Sequence, residues 1–331
     1  MSKYSNAIGS DISRDKFDVH DYNLDIHKEY PNNESGFKQL LSQSRKDHGR
    51  KLEGIIFCME HTGLYSLGLS VFLTQKKIPF SMIPGLEIKR SLGMVREKND
   101  KIDSYQIAKY AYLRREEIKE YNLPSEDILK LKSLLSLRER MVKHRASYMA
   151  NLKELKTFYK KRKNPLLFKT QEKLIKDLSK QIEHIEKEMS SIIDNDAELK
   201  KMYRLATSVI GVGLIVGITF LVYTNGFTAF ENWRQFASYA GIAPFSNESG
   251  ASRKKPKKVN HMANKRVKTL LSSSASTSIL YNPEMKQYYE KRIMEGKNGM
   301  STRNIIRNKI VARVFAAVNR GTPYVNTLKY A

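Results

Sequence analysis

The sequence predicts an α/β domain followed by a mainly helical remainder, and three observations carry that reading. Apolar alternation with short polar breaks runs from Ala7 to the segment PFSMIP. Helical periodicity with interleaved charge dominates residues 125–202. From Leu205 onward, short helical stretches alternate with glycine-rich and lysine-rich connections.

The elements follow in order. Ala7 to Ile12, then KFDVHDYN and LDIHKEY, read as three short strands in a meander. Residues 34–49 form a polar-faced helix opened by Asn33 or Ser35 as its cap. GIIFCME is a buried strand, YSLGLSVFLTQKK an amphipathic helix, PFSMIP another strand, and Asp100–Leu113 a helix. The order β-β-β-α-β-α-β-α is the layout of a ribonuclease-H-like domain, expected over residues 1–120. Residues 121–202 read as a long antiparallel helical hairpin with Pro165 near its turn, a spacer or dimerisation arm. Residues 203–331 form the third, helical region. There SVIGVGLIVGITFL gives a helix-turn-helix pair whose glycines either offer N–H groups to a phosphate or permit close helix packing. FENWRQFASYAGIAPFSNESG leads into a loop, ASRKKPKKVN, and helices follow at Ala263–Leu280, Pro283–Glu295 and Ser301–Val318.

Charge narrows the function. Lys and Arg number 59 against 34 acidic residues, a net charge of +25. Residues 203–331 hold 20 basic and 5 acidic side chains, so the excess is concentrated there. A field of that sign favours a polyanion, with counterion release supplying much of the binding free energy. Cys58 stands alone, which excludes a disulfide framework and a thiolate zinc cluster. The N-terminus has no apolar signal region, and Val209–Tyr223 is too short and glycine-rich for a membrane span. A cytoplasmic, nucleoid-associated protein is expected.

Four carboxylates stand at element ends. Asp11 follows an apolar run, Glu60 ends another, and Asp100 and Asp103 lie one helical turn apart. Together they suit Mg²⁺, or Mn²⁺, because a hard divalent ion relieves the mutual repulsion of clustered carboxylates. Two such ions can hold the attacking and departing oxygens of a phosphodiester displacement. Taken singly, each acid is equally a solvated charge or a helix cap. Asp15, Asp18 and Glu97 are near in sequence but point inward less clearly, and His61 could assist the chemistry, although a lone histidine is usually structural.

Ser249 precedes Gly250 in a loop running into Arg253, Lys254, Lys255, Lys257 and Lys258. A hydroxyl beside such cations can attack phosphorus, although Ser-Gly pairs are also ordinary turn residues. The basic run is expected to grip phosphates, with Lys265, Arg266 and Lys268 continuing it along a helix. Tyr239, Phe245, Tyr281, Tyr288 and Tyr289 are base-stacking candidates that core packing explains as well.

The blocks GSDISRDKFDV, MEHTGLY and REKNDKIDSYQIAKYA, with FASYAGIAP, SGAS and NPEMKQYYEKRIMEGK, resemble the DEDD transposases of bacterial insertion sequences. That family includes bridge-RNA-guided recombinases and the related pilin-gene invertases. The resemblance spans nearly the whole chain and departs at Ala263, where many relatives carry glycine. It implies a RuvC-like N-terminal domain with a metal tetrad at Asp11, Glu60, Asp100 and Asp103. It also implies a C-terminal transposase domain whose serine nucleophile is Ser249, placed by the SG that follows Pro244. The implied partners are donor and target double-stranded DNA and a structured noncoding RNA. The implied assembly is a homodimer or homotetramer in which serine and metal centres of different subunits meet. Rival expectations are a Mg²⁺-dependent junction nuclease using water, a DNA invertase of the same family, and an inert RNA-binding scaffold.

Overall fold

The computed structural model describes residues 3–61, 63–91, 99–159, 164–249, 253–259 and 262–325, the side chains of 246–249 and 253–258 excepted. The chain divides into two compact units, Met1–Leu123 and Pro124–Ala331.

The first unit is built on a five-stranded sheet: β1 (Asn6–Ile12), β2 (Lys16–Asp21), β3 (Ile26–Pro31), β4 (Ile55–Glu60) and β5 (Phe80–Ile83). Their order across the sheet is β3-β2-β1-β4-β5. The meander makes β1, β2 and β3 antiparallel neighbours, while β4 joins β1, and β5 joins β4, in parallel. Each parallel join needs a crossover, and α1 (Glu34–His48) and α2 (Leu67–Gln75) supply them. Asn33 caps α1, its side chain accepting from the Gly36 N–H. The mixed sheet with its helices is the α/β layout expected from the pattern. A short helix, α3 (Gly85–Ser91), was not anticipated; α4 (Asp100–Leu113) was, residue for residue.

Alternation on β1 sorts the two faces. Ile8 and Ile12 turn toward α1 and α2, where Phe37, Leu40, Leu41, Leu69, Phe72 and Leu73 are buried with Phe57 and Met59. Ala7 turns the other way, with Ile56, Cys58 and Ile83, into a core completed by Ile107, Tyr110 and Ala111 of α4. The residues of β1 on that face are small for a reason. A Cβ built on Gly9 would lie 2.3 Å from the Ala108 nitrogen and 2.5 Å from the Ser104 carbonyl oxygen, so glycine is what lets α4 lie on β1.

The second unit is helical. α5 (Glu126–Phe158) and α6 (Pro165–Asn195) run antiparallel, as cross-links from Arg138 to Glu186, Arg145 to Ser179 and Gln171 to Asn151 show. Pro165 occupies the first turn of α6, where its missing N–H costs nothing. The base of this hairpin buries Ile128, Leu131, Leu135, Ile185 and Met189 against α7 (Ala197–Thr207) and α8 (Leu214–Tyr223). A further core joins α9 (Trp233–Tyr239), α10 (Lys265–Tyr281), α11 (Pro283–Met294) and α12 (Gly299–Arg320) around Phe220, Phe236 and Phe315. At the glycine corner, Gly211 has φ +97° and its carbonyl accepts from Ser274 Oγ at 2.7 Å. A Cβ there would stand 2.7 Å from the Ser274 carbonyl oxygen, so close packing accounts for this glycine.

One expectation is corrected. Within the segment ASRKKPKKVN, expected as a loop, Arg253–Val259 is a strand (β7) that pairs antiparallel with Pro244–Ser249 (β6). The register slips between Phe245 and Asn247, leaving Pro256 and Lys257 opposite a single residue. Proline has no N–H to give a ladder, and a bulge is where a strand tolerates it. Among the described residues, no helix is long and apolar enough to cross a membrane.

Candidate functional site

Register brings the acids of the first unit together. Ser10 pairs with Met59 in the parallel β1–β4 ladder, so the next residues, Asp11 and Glu60, are neighbours at the carboxyl ends of both strands. Asp11 shares its face with Ala7 and Gly9, and Glu60 shares its face with Ile56 and Cys58; both are the α4 face. α4 runs antiparallel to β1, with Ala111 near Ala7 and Ser104 and Ala108 over Gly9. Its first turn, carrying Asp100 and Asp103, therefore lies toward Asp11. Asn99 caps that turn by accepting from the Ile102 N–H at 2.8 Å.

Asp18 joins the group from the other side. It pairs directly with Asp11 across the β1–β2 ladder and is only 4 % exposed. His27 Nε2 lies 2.7 Å from one of its oxygens. Lys16, on the same face of β2, places Nζ 3.5 Å from Asp18, 3.4 Å from Asp100 and 2.6 Å from Glu29. These contacts hold the lysine charged by raising its pKa, the Glu29 bond being the largest cause.

The electrostatic consequence falls on Asp11. Burial first, then Asp103, Asp100, Glu60 and Asp18, lift its pKa from 3.8 to about 6. Ionising this carboxyl is thus opposed from several directions, while Lys16 meets its neighbours Asp18 and Asp100. Among the described residues, no three acidic, histidine or cysteine side chains lie close enough together to hold a metal as they stand. An all-oxygen donor set whose central member resists ionisation nonetheless fits a hard divalent cation, which would reverse that resistance.

Glycine also sets the place of Glu60. A Cβ on Gly85 would fall 1.9 Å from Glu60 Oε1 and 2.5 Å from its Cδ, so the start of α3 leaves the space this carboxylate fills. His61 is exposed and does no visible work in the group; its N–H donates to the Ile83 carbonyl and its Nδ1 accepts from Gly63. Asp15 is exposed beside Arg14. Glu97 lies outside the described residues.

In the second unit, Ser249 is the last residue of β6 and pairs with Arg253. Lys254 pairs with Glu248, Lys255 with Asn247 and Lys258 with Phe245, while Lys257 sits in the bulge. The side chains of Ser249, Arg253, Lys254, Lys255, Lys257 and Lys258, and the whole of Gly250, lie outside the described residues. The root of this hairpin is fixed: the Ile242 carbonyl accepts from Asn304 Nδ2 at 2.8 Å and Asn308 Nδ2 at 3.0 Å, both from α12. At the start of α10, Lys265 is exposed and Lys268 half-buried. Arg266 is already engaged, with Nε 2.8 Å from Glu139 of α5 and Nη2 on the Leu135 carbonyl. Of the aromatic candidates, Tyr281 is 73 % and Phe245 45 % exposed, whereas Tyr288 and Tyr289 pack on the core. Tyr239 accepts from Asn264 through its hydroxyl.

The sequence named Asp18 only as pointing inward less clearly, and did not single out Lys16, Asn304 or Asn308. For Asp18 a signal existed: a tight connection after Ile12 folds the meander so that Asp11 and Asp18 oppose each other.

Two family models match the chain. One, a transposase model of the DEDD, IS110 type, covers residues 8–159; the other, described as transposase IS116/IS110/IS902 family, covers residues 203–290. Between them they take in both units, including all four acids and Ser249. The chain belongs to the IS110-type transposases. Its relatives include pilin gene-inverting proteins of Moraxella bovis and Moraxella lacunata, each 24 % identical over 96 % of this chain and 97 % of theirs. A protein of insertion element IS116 from Streptomyces clavuligerus is 26 % identical over 38 % of this chain and 32 % of its own length. As a transposase of this type the chain is a DNA-cutting and DNA-rejoining enzyme.

Proposed function

We propose that this transposase is a two-centre DNA recombinase. Asp11, Glu60, Asp100 and Asp103 of a ribonuclease-H-like, RuvC-type domain hold Mg²⁺ or Mn²⁺, and Ser249 is the nucleophile. The observation that carries the reading is the register of β1 with β4 under the first turn of α4, which gathers acids from four sequence positions onto one face. Chance rarely gathers so many carboxylates there, since each raises the cost of ionising the next.

A divalent ion in this site supplies charge neutralisation on the non-bridging phosphate oxygens and fixes the scissile phosphate. The chain's own residues do the rest. Asp11 and Glu60 orient from rigid strand ends, and Asp100 and Asp103 from a capped helix turn. Ser249 Oγ forms a bond to phosphorus as the phosphorus bond to one deoxyribose oxygen breaks, and the serine proton passes in net to that released oxygen. Attack by a deoxyribose hydroxyl of the partner strand reverses these changes and frees the serine. No bond energy is lost, so no nucleotide cofactor is needed. The basic strand β7, with Lys265, grips the DNA backbone. Synapsis of donor and target DNA requires a homodimer or homotetramer, with α5 and α6 as the assembly arm. A structured noncoding RNA chooses the sequences by pairing, and the protein acts in the cytoplasm at the nucleoid.

DNA inversion is the favoured outcome. The relatives matched over almost their whole length are named for inverting a pilin gene, whereas the insertion-element protein from Streptomyces clavuligerus matches over about a third of its length. The test uses a nicked substrate carrying the element's ends. Wild type should leave a protein–DNA adduct, Ser249→Ala should leave none, and Asp11→Asn should do neither cutting nor joining. Hydrolysed ends without adduct in the wild type would establish a water-using nuclease instead.

A further inference from the structure

Apolar side chains are left bare at the edge of the first sheet where the acids stand. Leu64 is 78 % exposed and Tyr65 48 %, both in the connection from β4 to α2, and Leu86 at the start of α3 is 47 % exposed. Exposure by itself means little, since single apolar side chains are common on protein surfaces. Their position is what counts. The parallel strands β1, β4 and β5 all finish at this edge, with Asp11 near the end of the first and Glu60 closing the second. The connection bearing Leu64 and Tyr65 begins directly after Glu60, and Leu86 follows Gly85, which leaves the space that the Glu60 carboxylate fills. The other large apolar side chains exposed among the described residues of this unit, Leu24, Ile26 and Leu113, lie away from the acids, around the β2–β3 turn and at the far end of α4.

The backbone under these side chains is pinned. Asn32 Nδ2 donates to the Tyr65 carbonyl at 3.2 Å and to the Ser13 carbonyl at 2.8 Å, which ties Tyr65 to the turn that follows Asp11. The His61 N–H donates to the Ile83 carbonyl at 3.3 Å, and the Leu67 N–H to the Leu64 carbonyl at 3.2 Å. Ordering cost is thus met before a ligand arrives. Electrostatics says which part of a DNA strand these residues can hold. A phosphate at this edge is repelled by the acids until a cation intervenes, so attraction has to come from the bases beside it, through apolar contact. Leucine can enter a base step and partly unstack it, and tyrosine can offer its ring to the base so exposed. Asp11, Glu60 and Asp103 are half-buried, and a strand kinked at that step turns its phosphate toward them.

We propose that Leu64 and Tyr65 form a wedge that unstacks the base step next to the scissile phosphate of duplex DNA, positioning that phosphate at the acids. They are positioning residues, with no part in the bond changes. The choice of DNA as the ligand rests on the recombinase reading.

The test uses permanganate, which oxidises thymines that have left the stack, on a duplex carrying the element's ends with thymines placed around the joint. The full chain is used with Mn²⁺, in an Asp11→Asn background that keeps the DNA whole. Thymines at one step should react several-fold more than in naked duplex. Adding Leu64→Ser should return them to the naked level, Tyr65→Ser should lower them in part, and Leu64→Met should preserve them because the wedge stays apolar. With Asp11 intact, Leu64→Ser should cut about tenfold more slowly or worse, the phosphate being misplaced, while its melting temperature and Mn²⁺ titration match wild type. An unreactive step in the parent protein, or an unchanged pattern in Leu64→Ser, overturns the proposal. So does a lower melting temperature in Leu64→Ser, which would make the leucine structural, and so does a change of oligomeric state, which would give this surface to a second copy of the chain. Strand breaks in the Asp11→Asn background would mark failure of the metal reading instead, a different readout from thymine oxidation.

Discussion

The two units carry their charges in opposite ways. In the first, Asp11, Glu60 and Asp18 stand on strands paired on both sides, and Asp100 and Asp103 on a helix seated on β1. Their relative positions are properties of backbone register. In the second, Ser249 and the cations of β7 ride on a two-stranded sheet, an arrangement marginal by itself. That sheet is placed through its root, where Asn304 and Asn308 share the Ile242 carbonyl. The contrast teaches that like charges can be concentrated where the backbone is over-determined, while the serine proposed as nucleophile is carried on a hairpin placed through its root.

The comparison breaks most severely at Asp11. Asp11→Asn should abolish DNA cutting, by about a thousandfold or more given that a metal site supplies several kcal/mol to the transition state. The same change should stabilise the fold near neutral pH. Asp11 holds its proton more tightly folded than unfolded, so its contribution favours folding at low pH and is lost as pH rises from 3.8 through about 6. Thermal scans should show Asp11→Asn melting above wild type at pH 7.5 and level with it near pH 4. A variant that melts lower at pH 7.5 would mean the carboxylates attract rather than strain one another.

Gly9→Ala attacks the rigidity of the first unit instead of its charge. The added methyl meets backbone of α4, which cannot turn aside, so about 1–3 kcal/mol of stability should be lost. Urea unfolding measures that loss, and the stabilisation by Mg²⁺ should vanish with it. Gly85→Ala is gentler, because the methyl meets the mobile end of Glu60. Stability should change by less than about 1 kcal/mol while metal affinity falls about tenfold or more; equal affinity would remove Glu60 from the site. On the other side of the comparison, Asn308→Ala should cost about 1 kcal/mol in the second unit and slow adduct formation without altering metal binding. Smallest of all, Arg138→Ala on the helical hairpin should cost no more than about 1 kcal/mol, its partner Glu186 being only partly buried.

The legibility of the sequence follows the same division. Apolar alternation and short apolar runs placed every strand of the first sheet, and helical spacing placed the helix of Asp100 and Asp103, because buried faces dictate each of them. α3 was hidden, since its seven residues carry too few apolar positions to show a period. Asp18 was ranked behind the four acids because an acid in a strand looks solvated until the register turns it onto the α4 face. The β6–β7 hairpin was read as a loop for a stronger reason: Pro256 and a run of lysines mimic an unstructured tether, and only a bulge at that proline lets the strand form.

The central claim is that Asp11, Glu60, Asp100 and Asp103 converge on a shared divalent cation. Calorimetric titration of Mn²⁺ at pH 7.5 into wild type and into Asp11→Asn and Asp103→Asn tests it without DNA, RNA or turnover. Saturable binding in the wild type that disappears in both variants is the expected result. Binding that survives in both, with unchanged affinity, would place the metal elsewhere and leave the four acids as a strained feature of the fold alone.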